Sequence, residues 1–260
     1  MGYEKIAVEY EDSVAIVKLN DPGVLNALSN RMVQELHAAI AEVLTSDARC
    51  LLLTGEGRAF CAGANLAAGG GAGEALPPSG HVLETHYHPV MNQLRQMEIP
   101  FVTAINGPAV GVGMSFAVMS DYAIASSEAY FLQAFANIGL VPDGGATWIL
   151  PRIIGFRRAM ELSMLAERLP AASALEWGLI NRVVDGDALM SEAMTVARRL
   201  AEGPRSLALI RRLYWESSSN SYAEQFQLEV NMQQQAQQSN DSREGVLAFL
   251  EKRKAKFTGT

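Results

Sequence analysis

Along this chain the spacing of apolar residues first alternates between strand-like and helix-like periods. From Phe156 onward it becomes almost wholly helical. Residues 6–19 alternate around IAVEY and VAIVKL, with Glu11, Asp12 and Ser13 between them, which predicts an antiparallel hairpin. DPGVLNALS reads as a turn leading to Ser29, a residue suited to cap a helix. From Met32 the positions Val33, Leu36, Ala39, Ile40, Val43 and Leu44 fall on one helical face. The continuous run CLLLT at 50–54 then has the look of a strand buried on both faces of a parallel sheet. Strand, helix and strand in this order predict an α/β fold.

The pattern continues with a helix over 82–98, a strand at PFVTAI, and a glycine-spaced helix start, AVGVGMSF, after the turn NGP. Strands follow at DYAIAS and AYFLQA, then a helical turn at TWILPRIIG. Beyond Phe156, the stretches FRRAMELSMLAE, SEAMTVARRLAEG, PRSLALIRRLYWE, SYAEQFQLEVNMQQQAQQ and REGVLAFLEKRKAKF are all helical, with Gly and Pro at the breaks. Residues 67–80, AAGGGAGEALPPSG, suit neither helix nor strand; they read either as a lid beside a ligand loop or as a plain surface insertion. No internal repeat is visible.

Composition narrows the function classes. At 260 residues, 49% apolar and 19% charged, the chain can bury a large core. A net charge of −7 offers no basic patch for nucleic acid. No run of about 20 apolar residues would span a bilayer, and the acidic N-terminus is unlike a signal peptide. Cys50 and Cys61 do not make a disulfide framework, so a cytoplasmic location is expected.

Two glycine-rich stretches and one acid carry the candidate chemistry. Gly111 and Gly113 let a ligand approach the backbone at a helix start, where unpaired amides meet the positive end of the helix dipole; such a place can hold an anion or a developing oxyanion. GEGRAFCAGANL, after the CLLLT strand, is a second loop of this kind. Asp143 lies in PDGG, an ordinary turn sequence in which an aspartate can bond its own backbone. Its neighbours Ile138, Leu140, Val141 and Trp148 are apolar, and such surroundings would raise a carboxylate toward a useful base. Asp121 reads as ending or capping the glycine-opened helix. His81, His86 and His88 cluster at a helix start with only Glu84 as a further ligand, so no metal site is expected. Cys61 has no histidine nearby in sequence and reads as a small buried residue.

GRAFCAGANL, INGPAVGVGMSFAVMSDYAIAS and AFANIGLVPDGGATWILPRIIG, in this order and spacing, resemble the enoyl-CoA hydratase/isomerase (crotonase) superfamily, and the resemblance extends through EWGLINRVV to REGVLAFLEKRKAKFTG. It implies a ββα spiral core over 1–200 carrying the acyl-CoA site, and a C-terminal helical region over 201–260 that builds a trimer or hexamer. It also implies that an acyl-CoA thioester is the substrate and that no further cofactor is needed. By position, the two oxyanion-hole amides fall on Ala64 and Val112. Coenzyme A would lie along residues 23–28, including Val24 and Ala27, and along Ala62, Gly63, Asn65 and Leu66, with Asn65 replacing a common aspartate. Gly111 would flank the hole.

Hydratases of the family use two glutamates, and those places hold Ser115 and Phe135 here. Asp143 stands where the family's isomerases carry a single acid, and its surroundings look most like the ring-opening and double-bond-shifting isomerases. The resulting expectation is an acyl-CoA isomerase with Asp143 as the base, and with Phe135, Trp148 and Phe101 as walls of the acyl pocket. The alternatives are a hydratase or thioester hydrolase using Glu74 or Glu84, and an acyl-CoA binder that turns nothing over. Tyr214, Trp215, Phe226, Leu228, Val246, Phe249, Leu250 and Phe257 exceed what one core needs, which points to an interface.

Overall fold

The computed structural model describes residues 2–66 and 79–260. The glycine-rich stretch expected as a lid, and Glu74 within it, lie almost wholly outside the described residues. The chain begins with β1 (Ile6–Glu11) and β2 (Val14–Leu19), the expected antiparallel hairpin. Next come α1 (Asn30–Thr45), capped by the Ser29 hydroxyl accepting from the Met32 amide, and β3 (Cys50–Gly55). A short turn α2 (Ser79–Val82), a π-helical turn at Leu83–Tyr87 and α3 (His88–Gln96) run on continuously. They are followed by β4 (Phe101–Ile105), β5 (Ala109–Val110), α4 (Val112–Val118), β6 (Tyr122–Ser126) and β7 (Tyr130–Leu132).

The remaining elements are α5 (Ala146–Ile153), α6 (Gly155–Leu165), β8 (Leu169–Pro170), α7 (Ala171–Glu176), β9 (Arg182–Val184) and α8 (Leu189–Ala201). The C-terminal region is helical: α9 (Ser206–Ser217), α10 (Tyr222–Gln237) and α11 (Asn240–Leu250).

Six strands form one sheet in the order β1-β2-β3-β4-β6-β9, parallel apart from the opening hairpin, and β5, β7 and β8 form a second, small sheet. Because successive side chains in a strand point to opposite faces, β3 buries Leu51 and Leu53 on one side and Cys50 and Leu52 on the other. The first face packs under α1 and α3, through Leu36, Ile40 and Leu94. The second packs under α8, through Leu189, Ala193 and Ala197. Coverage on both faces explains why these strands are continuous apolar runs. Among the described residues no helix is long and apolar enough to cross a membrane.

Two expectations need correction. Ala109 and Val110 do not open the glycine-spaced helix. They pair with Phe131 and Leu132 in the small sheet, and the helix begins only at Val112. Asp121 does not cap that helix. Its carboxylate accepts from the Phe101 amide at 2.8 Å and from Arg211 Nε at 2.9 Å, tying α9 to the start of β4. Buried Arg211 in turn donates to the carbonyls of Leu94, Arg95 and Met97, the free acceptors at the end of α3.

Candidate active site

Parallel strands deliver their following loops to one edge of the sheet, and there the two glycine loops meet. Cys61 and the Pro108–Val110 segment exchange backbone bonds, Cys61 N–H to Pro108 O at 3.0 Å and Val110 N–H to Cys61 O at 2.9 Å. The Leu28 amide donates to Gly63 O and the Asn65 amide to Leu28 O, so residues 23–28 run alongside residues 62–65. Asn26 laces the two together: its side chain accepts from the Asp21 amide and donates to Glu56 O and Ala59 O, and Ala62 N–H bonds Leu25 O. The sequence reading missed Asn26. A positive φ of 56° at a buried Asn inside a turn was the available signal only once the backbone was known.

Close approach explains the glycines. A methyl on Gly63 would lie 2.9 Å from Val110 O, and one on Gly113 would lie 2.6 Å from Cys61 O. Gly111 sits at φ 54°, ψ −129°, a conformation that side chains exclude. The Ala64 and Val112 amides, on these abutting loops, have no acceptor among the described residues. Val112 opens α4, so its N–H points out of the helix end with no earlier turn to receive it. Two unpaired amides on adjoining loops can hold a carbonyl oxygen as it gains charge. Val24, Leu66 and Ala64 are exposed and Ala27, Ala62 and Asn65 half-buried, forming an accessible rim to the same loops.

The acid arrives from the other side. Gly144, at φ 60°, fits where a methyl would come within 3.0 Å of Val112 Cγ2 and Met91 Cε and 2.9 Å of Ser115 Cβ. That packing brings the adjoining Asp143 to the start of α4. The Ser115 hydroxyl, fully buried, donates to the Asp143 main-chain carbonyl at 3.1 Å. The carboxylate itself does not bond its own turn: Ala146 N–H goes to the Asp143 backbone oxygen, and the buried Oδ1 has no hydrogen-bond partner among the described residues. Burial therefore pushes the carboxyl up to about 6, with nearby His88 pulling the other way. A carboxyl so placed is a competent base near neutral pH.

Phe135 is buried with its ring 3.6 Å from where a methyl on Gly111 would stand, so it packs against the Gly111 turn. Phe101 does not line the site. It begins β4, whereas the Gly111 loop follows the strand's far end, and its ring is core. Trp148 stacks on Trp215 of α9 at 5.8 Å with Arg152 4.2 Å over its ring, contacts that account for it without an acyl group. Cys61 donates to Asn26 O and burial pushes its thiol up to about 12, far from a nucleophile. His86 bonds Gln34 and Thr85, and among the described residues no three His, Cys, Asp or Glu side chains converge. Two cavities of about 840 and 960 Å³ lie toward the opposite edge of the sheet, around Arg49, and share no residue with this site.

The whole arrangement has relatives. A probable enoyl-CoA hydratase of Rhodobacter capsulatus is 40% identical, over 100% of both chains. The 1,2-epoxyphenylacetyl-CoA isomerase of Escherichia coli is 41% identical, over 98% of this chain and 99% of its own. The crystal structure of an enoyl-CoA hydratase from Bacillus anthracis superposes with a TM-score of 0.93 at 29% identity, covering 99% of this chain and 100% of that one. With the enoyl-CoA hydratase/isomerase profile matching residues 9–260, the chain belongs to the enoyl-CoA hydratase/isomerase family and has its crotonase fold.

Proposed function

We propose that this enzyme is an acyl-CoA isomerase in which Asp143 is the only general base. The observation that carries this reading is the half-buried Asp143 carboxylate, its buried Oδ1 without a hydrogen-bond partner among the described residues, packed against the start of α4 beside the Val112 amide. At the places where hydratases of the family have glutamates, Ser115 is bonded to the Asp143 main chain and Phe135 is buried and apolar. Neither can activate water. Asp143 takes a proton from a carbon next to, or conjugated with, the thioester. The enolate oxygen so formed accepts hydrogen bonds from the amides of Ala64 and Val112, and Asp143 returns the proton two carbons away. One carboxylate suffices because the same group visits both carbons. Charge sits on that oxygen only after the proton leaves, so the amides bind the transition state more tightly than the substrate.

The relatives' names divide between hydratase and isomerase, so the test must separate the two. Purified enzyme is given a 3-enoyl-CoA and a 2-enoyl-CoA in parallel. Shift of the first without fast hydration of the second is expected, and fast hydration with no shift would overturn the reading.

We also propose that the helices after residue 200 assemble the enzyme into a trimer or hexamer. Tyr214, Phe226, Val246, Phe249 and Leu250 are exposed in the single chain, joined by Phe156, Met164 and Leu165 of α6, whereas Trp215, Leu228 and Phe257 are half-buried. So much exposed apolar surface fits an interface. Light scattering on the eluting protein checks this, and a stable monomer at micromolar concentration would remove it.

A further inference from the structure

Two loops supply the two amides of the proposed hole, and a chain of buried contacts links them. Val112 is anchored through its neighbour: a methyl on Gly113 would lie 2.6 Å from Cys61 O and 2.7 Å from Cys61 Sγ, so the first turn of α4 rests directly on Cys61. Ala64 follows Cys61 across Gly63, whose φ of 92° gives that stretch no stiffness of its own. Its orientation comes from Leu28. The Leu28 N–H donates to Gly63 O at 2.7 Å and its carbonyl accepts from the Asn65 amide at 3.0 Å, which pins the residues on both sides of Ala64.

Leu28 is placed in turn by Asn26. Leu25 and Asn26 both have φ 56°, two successive left-handed residues that reverse the chain, and a leucine holds this conformation only where its surroundings enforce it. The Asn26 carboxamide does so. Fully buried, it accepts from the Asp21 amide at 2.9 Å and donates to Glu56 O at 2.9 Å and Ala59 O at 2.8 Å. The Asn26 carbonyl also receives the Cys61 thiol at 3.2 Å. Asn26 is therefore tied both to the segment that pins Ala64 and to the residue on which the Val112 turn rests.

We propose that Asn26 is a positioning residue for the oxyanion hole, setting the separation and angle of the Ala64 and Val112 amides without touching the substrate. This rests on the two-amide hole of the reading above. Being wholly buried, the side chain has no route to a bound thioester. Its effect falls on the carbonyl oxygen as that atom gains charge, and a loosened hole loses rate before it loses binding.

The test uses a 3-phenyl-2-enoyl-CoA, in which the carbon beyond the double bond is aromatic and has no hydrogen, so that it cannot be isomerised. Amides bonded to its carbonyl oxygen draw electrons along the conjugated chain and move its ultraviolet absorption to longer wavelength. The wild-type enzyme shows that shift, and Asp143→Asn keeps it while losing isomerisation of a 3-enoyl-CoA. Asn26→Asp puts an oxygen where an NH₂ group faced two carbonyls. In that variant about half of the shift or more is lost and kcat falls about 10-fold or more, while Kd for the probe changes less than about 3-fold. Asn26→Gly, which accepts the positive φ but lacks the carboxamide, behaves the same way. A folded variant of either kind with the full shift and a normal kcat overturns the role of Asn26. Failure of both variants to fold also overturns it, since Asn26 then holds the fold rather than the hole. No shift in a wild-type enzyme that isomerises overturns the two-amide hole and the proposal with it. A shift that is lost in the variants of an enzyme that does not isomerise leaves the positioning role standing and removes the isomerase reading.

Discussion

Asp143 and Asp241 are two carboxylates partly or wholly withdrawn from water, one beside the Val112 amide and one at the base of the C-terminal arm. They differ in what surrounds the oxygens. Asp241 is almost fully buried. It accepts from three backbone amides, Thr258 at 2.7 Å, Arg205 at 2.8 Å and Gly259 at 2.9 Å. Burial pushes its carboxyl up, but those amides outweigh it and hold the group below the usual carboxylate range. Asp143 is less buried, yet Oδ1 has no donor and the carboxyl is pushed up to about 6. Burial alone therefore does not raise a carboxyl; burial without donors does.

The comparison breaks most sharply if the rate does not depend on the bare carboxylate. On the proposed isomerase reading, Asp143→Asn should lower kcat by about 10²-fold or more with little change in KM, since the Ala64 and Val112 amides and the rim of the two glycine loops are untouched. In the unmodified enzyme, kcat/KM should fall as pH drops below about 6, where Asp143 takes up a proton. Steady-state kinetics across pH 4.5–8 checks both.

Asp241→Asn should do the reverse, costing about 3 kcal/mol of stability while the folded enzyme keeps its kcat, because amide donors then face an NH₂ group. That cost should shrink on acidification, since a carboxylate held below its ordinary range stabilises the fold only while ionised. Urea unfolding at pH 7 and at a pH well below 3.8, the ordinary aspartate value, reads it.

The third expectation has the opposite sign. A carboxyl raised to about 6 disfavours the folded state when ionised, so Asp143→Asn should stabilise the protein at pH 7.5 by about 1 kcal/mol, allowing for its partial exposure. The gain should vanish between pH 6 and pH 4. Loss of stability at pH 7.5 would mean that the carboxylate has donors after all.

The smallest effect belongs to Ser115→Ala. Losing its bond to the Asp143 carbonyl removes about 1 kcal/mol of positioning, a several-fold drop in kcat. A dead enzyme would move the acid chemistry to that position.

Much of this was legible in the sequence. The β1–β2 hairpin, the Ser29 cap, the buried β3 strand and the two glycine loops each follow from local period, capping chemistry or a missing Cβ. The errors have one cause. Ala109 and Val110 read as helix because their strand partners, Phe131 and Leu132, lie in a later element. Phe101 read as pocket wall because strand direction was not part of the pattern. In sequence His88 has only Glu84 as an acidic neighbour, whereas the carboxylate whose proton affinity it lowers belongs to a distant loop.

By itself, then, the sequence determined the α/β order, the glycine loops with their free amides, and the family, because these depend on local backbone freedom and on motifs read in line. Only tertiary structure decided the chemistry of the acids. In sequence, Asp121, Asp143 and Asp241 are each an aspartate at an element boundary. Packing gives Asp121 an arginine and Asp241 three amides, and leaves Asp143 Oδ1 without a donor among the described residues. A carboxylate's proton affinity is set by the donors and water around it, and those come from parts of the chain far apart in sequence.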